Sequence, residues 1–226
     1  MHIRFDQAEL RFGDRVALLP LTLSLVERRI GVIGLNGSGK TSFARLIAGL
    51  AKPTSGKVTL DGLDTVADEQ AARAKTGFIF QNPGNQIILP NIREDIALGP
   101  KSRGLAAGEV ERLVDAALDR FGIRALGARR PHELSGGELQ LAALAAVCVN
   151  RPELVIFDEP TNQLDLKNRA RVKAAIEGLA EQAVVISHDL ELVADFERVL
   201  VFDQGALAFD GAGQAAITRY REIAGC

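Results

Sequence analysis

At 226 residues with 47% hydrophobic content, the chain can bury a full core as one large domain or as a domain carrying a subdomain. A formal charge of -2 and a pI near 6.0 leave no global basic field to draw it to nucleic acid or anionic lipid, so no nucleic-acid partner is expected. Two cysteines, Cys148 in an alanine-rich apolar run and Cys226 at the last position, suggest neither a disulfide framework nor a metal cluster, and a reducing, cytosolic compartment is expected.

The opening MHIRFDQAEL lacks a signal peptide's charged-then-apolar order. No later apolar run approaches the roughly 18 residues that span a bilayer, so membrane association is expected through partners alone. The segments IRF, AELRF and LTLSLV are short and β-like, and RRIGVIG is a compact apolar run suited to a buried strand; together they suggest a mixed N-terminal sheet. Beyond residue 41, Phe43, Leu46, Ile47 and Leu50 recur at helical spacing and give an amphipathic helix with one core-facing stripe. GKVTLDG reads as a hairpin arm. TGFIF, ELVIFDE, QAVVIS and RVLVFD read as further buried strands, and the stretch from about Asn91 to Gly127 as mostly helical. This order predicts an α/β core with a helical subdomain, about residues 85–150, inserted in a single domain spanning 1–226.

The segment GLNGSGKT, Gly34 to Thr41, has the spacing G-x-x-x-x-G-K-[ST] between a predicted strand and a predicted helix. Gly34, Gly37 and Gly39 permit a tight loop whose N–H groups face phosphate oxygens, and the helix adds its positive end. Lys40 would bridge the β- and γ-phosphates and Thr41 would offer its hydroxyl to Mg²⁺; Asn36, Ser38 and Ser42 belong to the same cradle. In LVIFDEP, two carboxylates emerge from an apolar strand. Successive strand side chains alternate, which predicts two roles: Asp158 in the Mg²⁺ shell and Glu159 as the base that polarises the attacking water. His188 follows another buried strand and so reaches the same sheet end, where a γ-phosphate contact is expected over an ordinary helix-start role. His2 and His132 lack such context.

Residues 134–140, LSGGELQ, pose a separate question. Ser135, Gly136 and Gly137 precede the helix-forming run ELQLAALAAVCV and supply a cap hydroxyl, open N–H groups and a helix N-terminus, a second anion site in a chain with one phosphate loop. Taken with the loop at 34–41 and the LVIFDEP strand, the chain resembles the nucleotide-binding domains of ATP-binding-cassette (ABC) proteins over nearly its whole length, which implies the P-loop NTPase fold with a parallel core sheet. The resemblance implies that two such domains pair head to tail, the signature of one closing over ATP held by the other. It makes Gln81 the Q-loop glutamine, a catalytic and metal-side residue; Ser135, Gly136, Gly137 and Glu138 the signature; Asp158 and Glu159 the Walker B pair; NQLD the D-loop; and His188 the switch histidine. Phe12 stands where the family places an aromatic that stacks on adenine, with a core phenylalanine as the alternative.

Four positions depart from that pattern: Glu138 in place of glutamine, Leu141 in place of arginine, Asn162 in place of serine and Leu166 in place of proline. None removes a group that hydrolysis needs. FIFQNPGNQIILPNIREDIALGP, Phe78 to Pro100, is similar to the matching stretch of energy-coupling-factor importer ATPases, and the short C-terminal end is similar to the biotin-importing members of that group. The resemblance implies an ATPase at the cytoplasmic face of the cell membrane, peripheral, using ATP and Mg²⁺ to energise import of a vitamin, biotin among them, or of a transition metal ion. Its implied partners are a second ATPase chain, identical or a close paralogue, a transmembrane coupling protein and a membrane protein that captures the solute. A soluble ABC ATPase tied to translation or DNA is the alternative. Residues from about Gln81 to Leu98, with the apolar cluster Ile87, Ile88 and Leu89 and nearby Ile92 and Ile96, are expected to form a docking surface for a membrane partner's helix, against the alternative that these side chains fill the helical core.

Overall fold

The computed structural model describes residues 1–225; Cys226, one of the two cysteines, lies outside them. In chain order the elements are β1 (Ile3–Phe12), β2 (Arg15–Leu25), β3 (Arg29–Gly34), α1 (Lys40–Ile47), β4 (Ser55–Leu60), β5 (Leu63–Asp64), α2 (Glu69–Lys75), β6 (Thr76–Ile79), α3 (Ile92–Ser102), α4 (Ala107–Arg120), α5 (Gly136–Cys148), β7 (Leu154–Asp158), α6 (Leu166–Glu177), β8 (Gln182–Ile186), α7 (Leu190–Val193), β9 (Arg198–Asp203), β10 (Ala206–Gly211) and α8 (Gly213–Ala224). They form two compact units. The first takes Met1–Phe78, Glu153–Glu159 and the chain from Glu181 onward; the second takes Ile79–Pro152 and Pro160–Ala180.

The first unit holds two sheets. The N-terminal sheet, in the order β2-β1-β4-β5, was expected to be mixed, but its pairs run antiparallel throughout. The six-stranded sheet has the order β10-β9-β3-β8-β7-β6, with β9, β3, β8 and β7 parallel and β10 antiparallel at its edge. Every residue of β7 and β8 is buried, as a parallel strand covered on both faces requires. Phe5 of β1 stacks on Phe43 of α1 at 4.8 Å between ring centroids, and Phe43 meets Phe202 of β9 at 5.1 Å, so three aromatic rings tie both sheets to α1. IRF and AELRF prove to be one strand. Gln7, at φ 49°, absorbs an irregularity in the pairing between Phe5 and Ala8. Leu50 does not extend the α1 stripe, because the helix ends at Ile47 and Gly49 turns the chain at φ 64°, leaving Leu50 exposed.

The second unit contains α3, α4, α5 and α6. Asn91 caps α3 by accepting from the Glu94 N–H at 2.9 Å. The apolar cluster expected to dock a partner is split here. Ile87, Ile92 and Ile96 are buried, with Ile92 and Ile96 on the inward stripe of α3, whereas Ile88 is 73% exposed. Three of the five residues therefore belong to the core reading, and Ile88 is the one that a partner could reach. Asp95, which pattern alone did not single out, explains the division: its buried carboxylate accepts the N–H groups of Ile88 at 2.9 Å and Leu89 at 3.1 Å, pinning the backbone that carries Ile88.

Candidate nucleotide site

The phosphate loop leaves β3 and enters α1 within the first unit. Gly39, the N-cap of α1, has φ 104°, and a Cβ there would stand 2.6 Å from the Ala17 carbonyl, so only glycine fits. Lacking a side chain, Gly39 cannot cap the helix, and the opening N–H groups of α1 are left to an anion. Lys40 is buried, and its Nζ donates to the carbonyls of Gly34 at 2.8 Å and Leu35 at 2.9 Å. An ammonium has three donors, so one remains for phosphate. Burial depresses the Lys40 pKa, with Glu159 and Asp158 acting in the opposite sense. Ser38 Oγ is buried without a hydrogen-bond partner among the described residues. Asn36 is exposed, and Ser42 follows Thr41 in the first turn of α1.

Because β3, β8 and β7 are parallel neighbours, their carboxyl ends deliver the remaining groups to the same edge. Thr41 Oγ1 donates to Asp158 Oδ1 at 3.2 Å. A hydroxyl beside a carboxylate is a hard-oxygen pair that suits Mg²⁺, which keeps most of its waters and needs few protein ligands. Glu159 turns elsewhere: at φ 54° it leaves the strand, its N–H donates to Ile186 O at 3.0 Å, and its Oε2 accepts the His188 N–H at 3.0 Å. His188 Nε2 lies 3.2 Å from Glu159 Oε1. The two carboxylates do part as alternation suggested, yet a left-handed backbone at Glu159, a conformation costly for a residue with a side chain, makes the separation. Burial raises the pKa of both acids and lowers that of His188.

Phe12 sits at the end of β1 and is 58% exposed, which removes the core alternative and leaves its ring open to a flat partner.

The second unit carries the signature and Gln81. Gln81 is exposed, two residues beyond β6. Ser135 caps α5, and with Glu138 it forms a capping box: Ser135 N and Oγ donate to Glu138 Oε2 at 2.9 and 2.8 Å, and Ser135 Oγ accepts the Glu138 N–H at 3.4 Å. The substituted residue of the signature thus organises the cradle, its carboxyl held low by these bonds. Gly137 is demanded by the start of α6: a Cβ there would stand 2.5 Å from the side chain of Asn168, which is itself bonded to the α6 cap Asp165. Asp165 is the last residue of the NQLD segment and also the cap of α6, as an Asp directly before a helix start signals, whereas Asn168 carries no such signal in the sequence. Leu141, in place of arginine, is buried in this unit, and Leu166, at the first position of α6 that suits proline, is 82% exposed.

A family model described as "ABC transporter" matches residues 20–162, more than half of the chain. The chain belongs to the ABC transporter family. The biotin transport ATP-binding protein of Rhizobium etli is 61% identical over 224 residues, covering 99% of this chain and all of that protein. The cobalt import ATP-binding protein of Syntrophus aciditrophicus is 40% identical, covering 96% of this chain and 79% of its own. Among solved structures, cbiO1 from Clostridium perfringens, described as part of the ABC transporter complex cbiONQ, superposes with a TM-score of 0.87 at 25% identity, over 99% of this chain and 93% of its own. The ABC ATPase is thus an ATP-binding subunit of the energy-coupling-factor type, with ATP hydrolysis as its activity. The soluble alternative gains no support from these relatives.

Proposed function

We propose that this subunit energises biotin import. The 61% identity to a biotin transport ATP-binding protein, sustained across the full length of that relative, carries the choice of solute. In this reading the Lys40 loop, with Gly34, Asn36, Gly37, Ser38, Gly39, Thr41 and Ser42, binds the ATP phosphates, and Phe12 stacks on adenine. Thr41 and Asp158 would hold Mg²⁺, which supplies charge neutralisation on the phosphates, and Gln81 keeps the metal-side and catalytic role that the Q-loop resemblance implies. Glu159 accepts the proton of the attacking water. His188, fixed by both carboxylate oxygens of Glu159, is presented to the γ-phosphate. Ser135, Gly136, Gly137 and Glu138 act on ATP bound by a second copy or close paralogue.

The remaining partners are a transmembrane coupling protein and a biotin-capturing membrane protein. No helix among the described residues is long and apolar enough to cross a membrane, so the reading places the chain peripherally at the cytoplasmic face, held by those partners. Ile88 is the contact assigned to the coupling protein.

Uptake of labelled biotin by a host lacking its own importer, on co-expression of this chain with its membrane partners, tests the solute. Accumulation that requires this chain is expected; accumulation of cobalt or nickel ions in place of biotin would overturn it. In the same assay Ile88→Asp should abolish uptake while the isolated chain keeps its ATPase activity. Ile87→Asp, which buries a charge in the core, should instead fail to fold.

A further inference from the structure

Arg15 opens β2 directly opposite Phe12, the last residue of β1, in the antiparallel register. Residues opposite one another in such a pair present their side chains on one face. Both are exposed, and the Arg15 guanidinium makes no hydrogen bond or ion pair with any described residue, so its five donors are uncommitted. Its guanidinium reaches the phosphate loop: Nη2 lies 3.8 Å from where a Cβ on Gly37 would stand. Backbone bonds hold the hairpin to that loop. Leu19 N–H donates to Gly205 O at 2.8 Å, and Gly205 N–H donates to Ser38 O at 3.0 Å, so β2, the turn before β10 and the phosphate loop share one frame.

We infer that Arg15 is a nucleotide-contact residue that grips the α-phosphate, an inference that rests on the nucleotide site proposed above. With adenine on Phe12 and the β- and γ-phosphates on the Lys40 loop, the ribose and the α-phosphate must pass between the two. Arg15 stands between the same two landmarks. Of the two passing groups only the α-phosphate is anionic, and a planar fork of N–H donors matches phosphate oxygens.

The test is equilibrium binding of ATP and of ADP to the full chain, with steady-state turnover alongside. Arg15→Ala should weaken both nucleotides by the same factor, roughly tenfold, the worth of one charge-assisted hydrogen bond. The loss should fall in KM, with kcat at saturating ATP changed by less than about twofold, since the α-phosphate takes no part in bond breaking. Arg15→Lys, a point charge without the fork, should recover part of the affinity. Unchanged affinity for both nucleotides overturns the inference, as does a loss confined to ATP, which would move Arg15 to the γ-phosphate. Lys40→Ala measured in parallel separates the two readings: if it weakens binding and Arg15→Ala does not, only the Arg15 inference falls, and if neither does, the nucleotide site itself is misplaced.

Discussion

Glu159→Gln lowers ATP turnover by ~10²–10⁴-fold, the usual worth of a general base, and leaves ATP binding intact. The amide replaces the carboxylate atom for atom. It can still accept the His188 N–H now received by Oε2, and it tolerates φ 54° no worse than glutamate, so the fold and the position of His188 persist. What is lost is the capacity to take a proton from water. Lys40 and Thr41 are untouched, and ATP should be trapped on an assembled but slow enzyme. Rapid-quench measurement of bound ATP against released phosphate checks this. Turnover equal to that of the parent would mean that Glu159 is not the base.

Lys40→Ala abolishes tight ATP binding, by ~10- to 150-fold, since the one ammonium donor left for phosphate makes a charge-assisted hydrogen bond worth about 1.5–3 kcal/mol. The same change strips the Gly34 and Leu35 carbonyls of their shared donor, so the loop itself loosens. Isothermal titration with ATP measures the loss; far-UV circular dichroism of the variant should match the parent, because α1 keeps its buried Phe43, Leu46 and Ile47.

The parts of this site that sequence made legible are those in which spacing encodes backbone shape. Residues 34–41 dictate a loop between strand and helix because Gly34 and Gly39 stand where a side chain would collide with backbone, Gly39 with Ala17, and Gly37 takes a left-handed φ of 78° that favours glycine. Asp158 could be placed from its strand for a similar reason: alternation is local. The Glu159–His188 pairing spans 29 residues and depends on one left-handed residue after β7, which no spacing announces. Ile87 and Ile88 are identical in type and adjacent, so only the packing of α3 and the grip of Asp95 decide which is buried. Phe12 was ambiguous for the same reason. Arg15 had a signal that went unused: a Gly-Asp pair between Phe12 and Arg15 is hairpin chemistry, which sets those two residues face to face. The strand β10 and helix α8 have patterns too short or too mixed to stand out from the chain around them.

The central claim is that each chain holds half of two sites, its Lys40 loop serving its own ATP and its Ser135 signature serving that of a neighbour. Mixing two crippled chains tests it most directly. Ser135→Arg places a bulky cation at an exposed signature position, and Lys40→Ala removes the loop's cation; each homodimer should be inactive. In the heterodimer one intact Lys40 loop faces one intact signature. Random pairing of equal amounts makes half of the dimers mixed, each with one of its two sites whole, so ATPase activity should return to roughly a quarter of the parent value in a two-fold symmetric assembly. Activity that stays at the level of the separate variants, at any mixing ratio, would contradict the account.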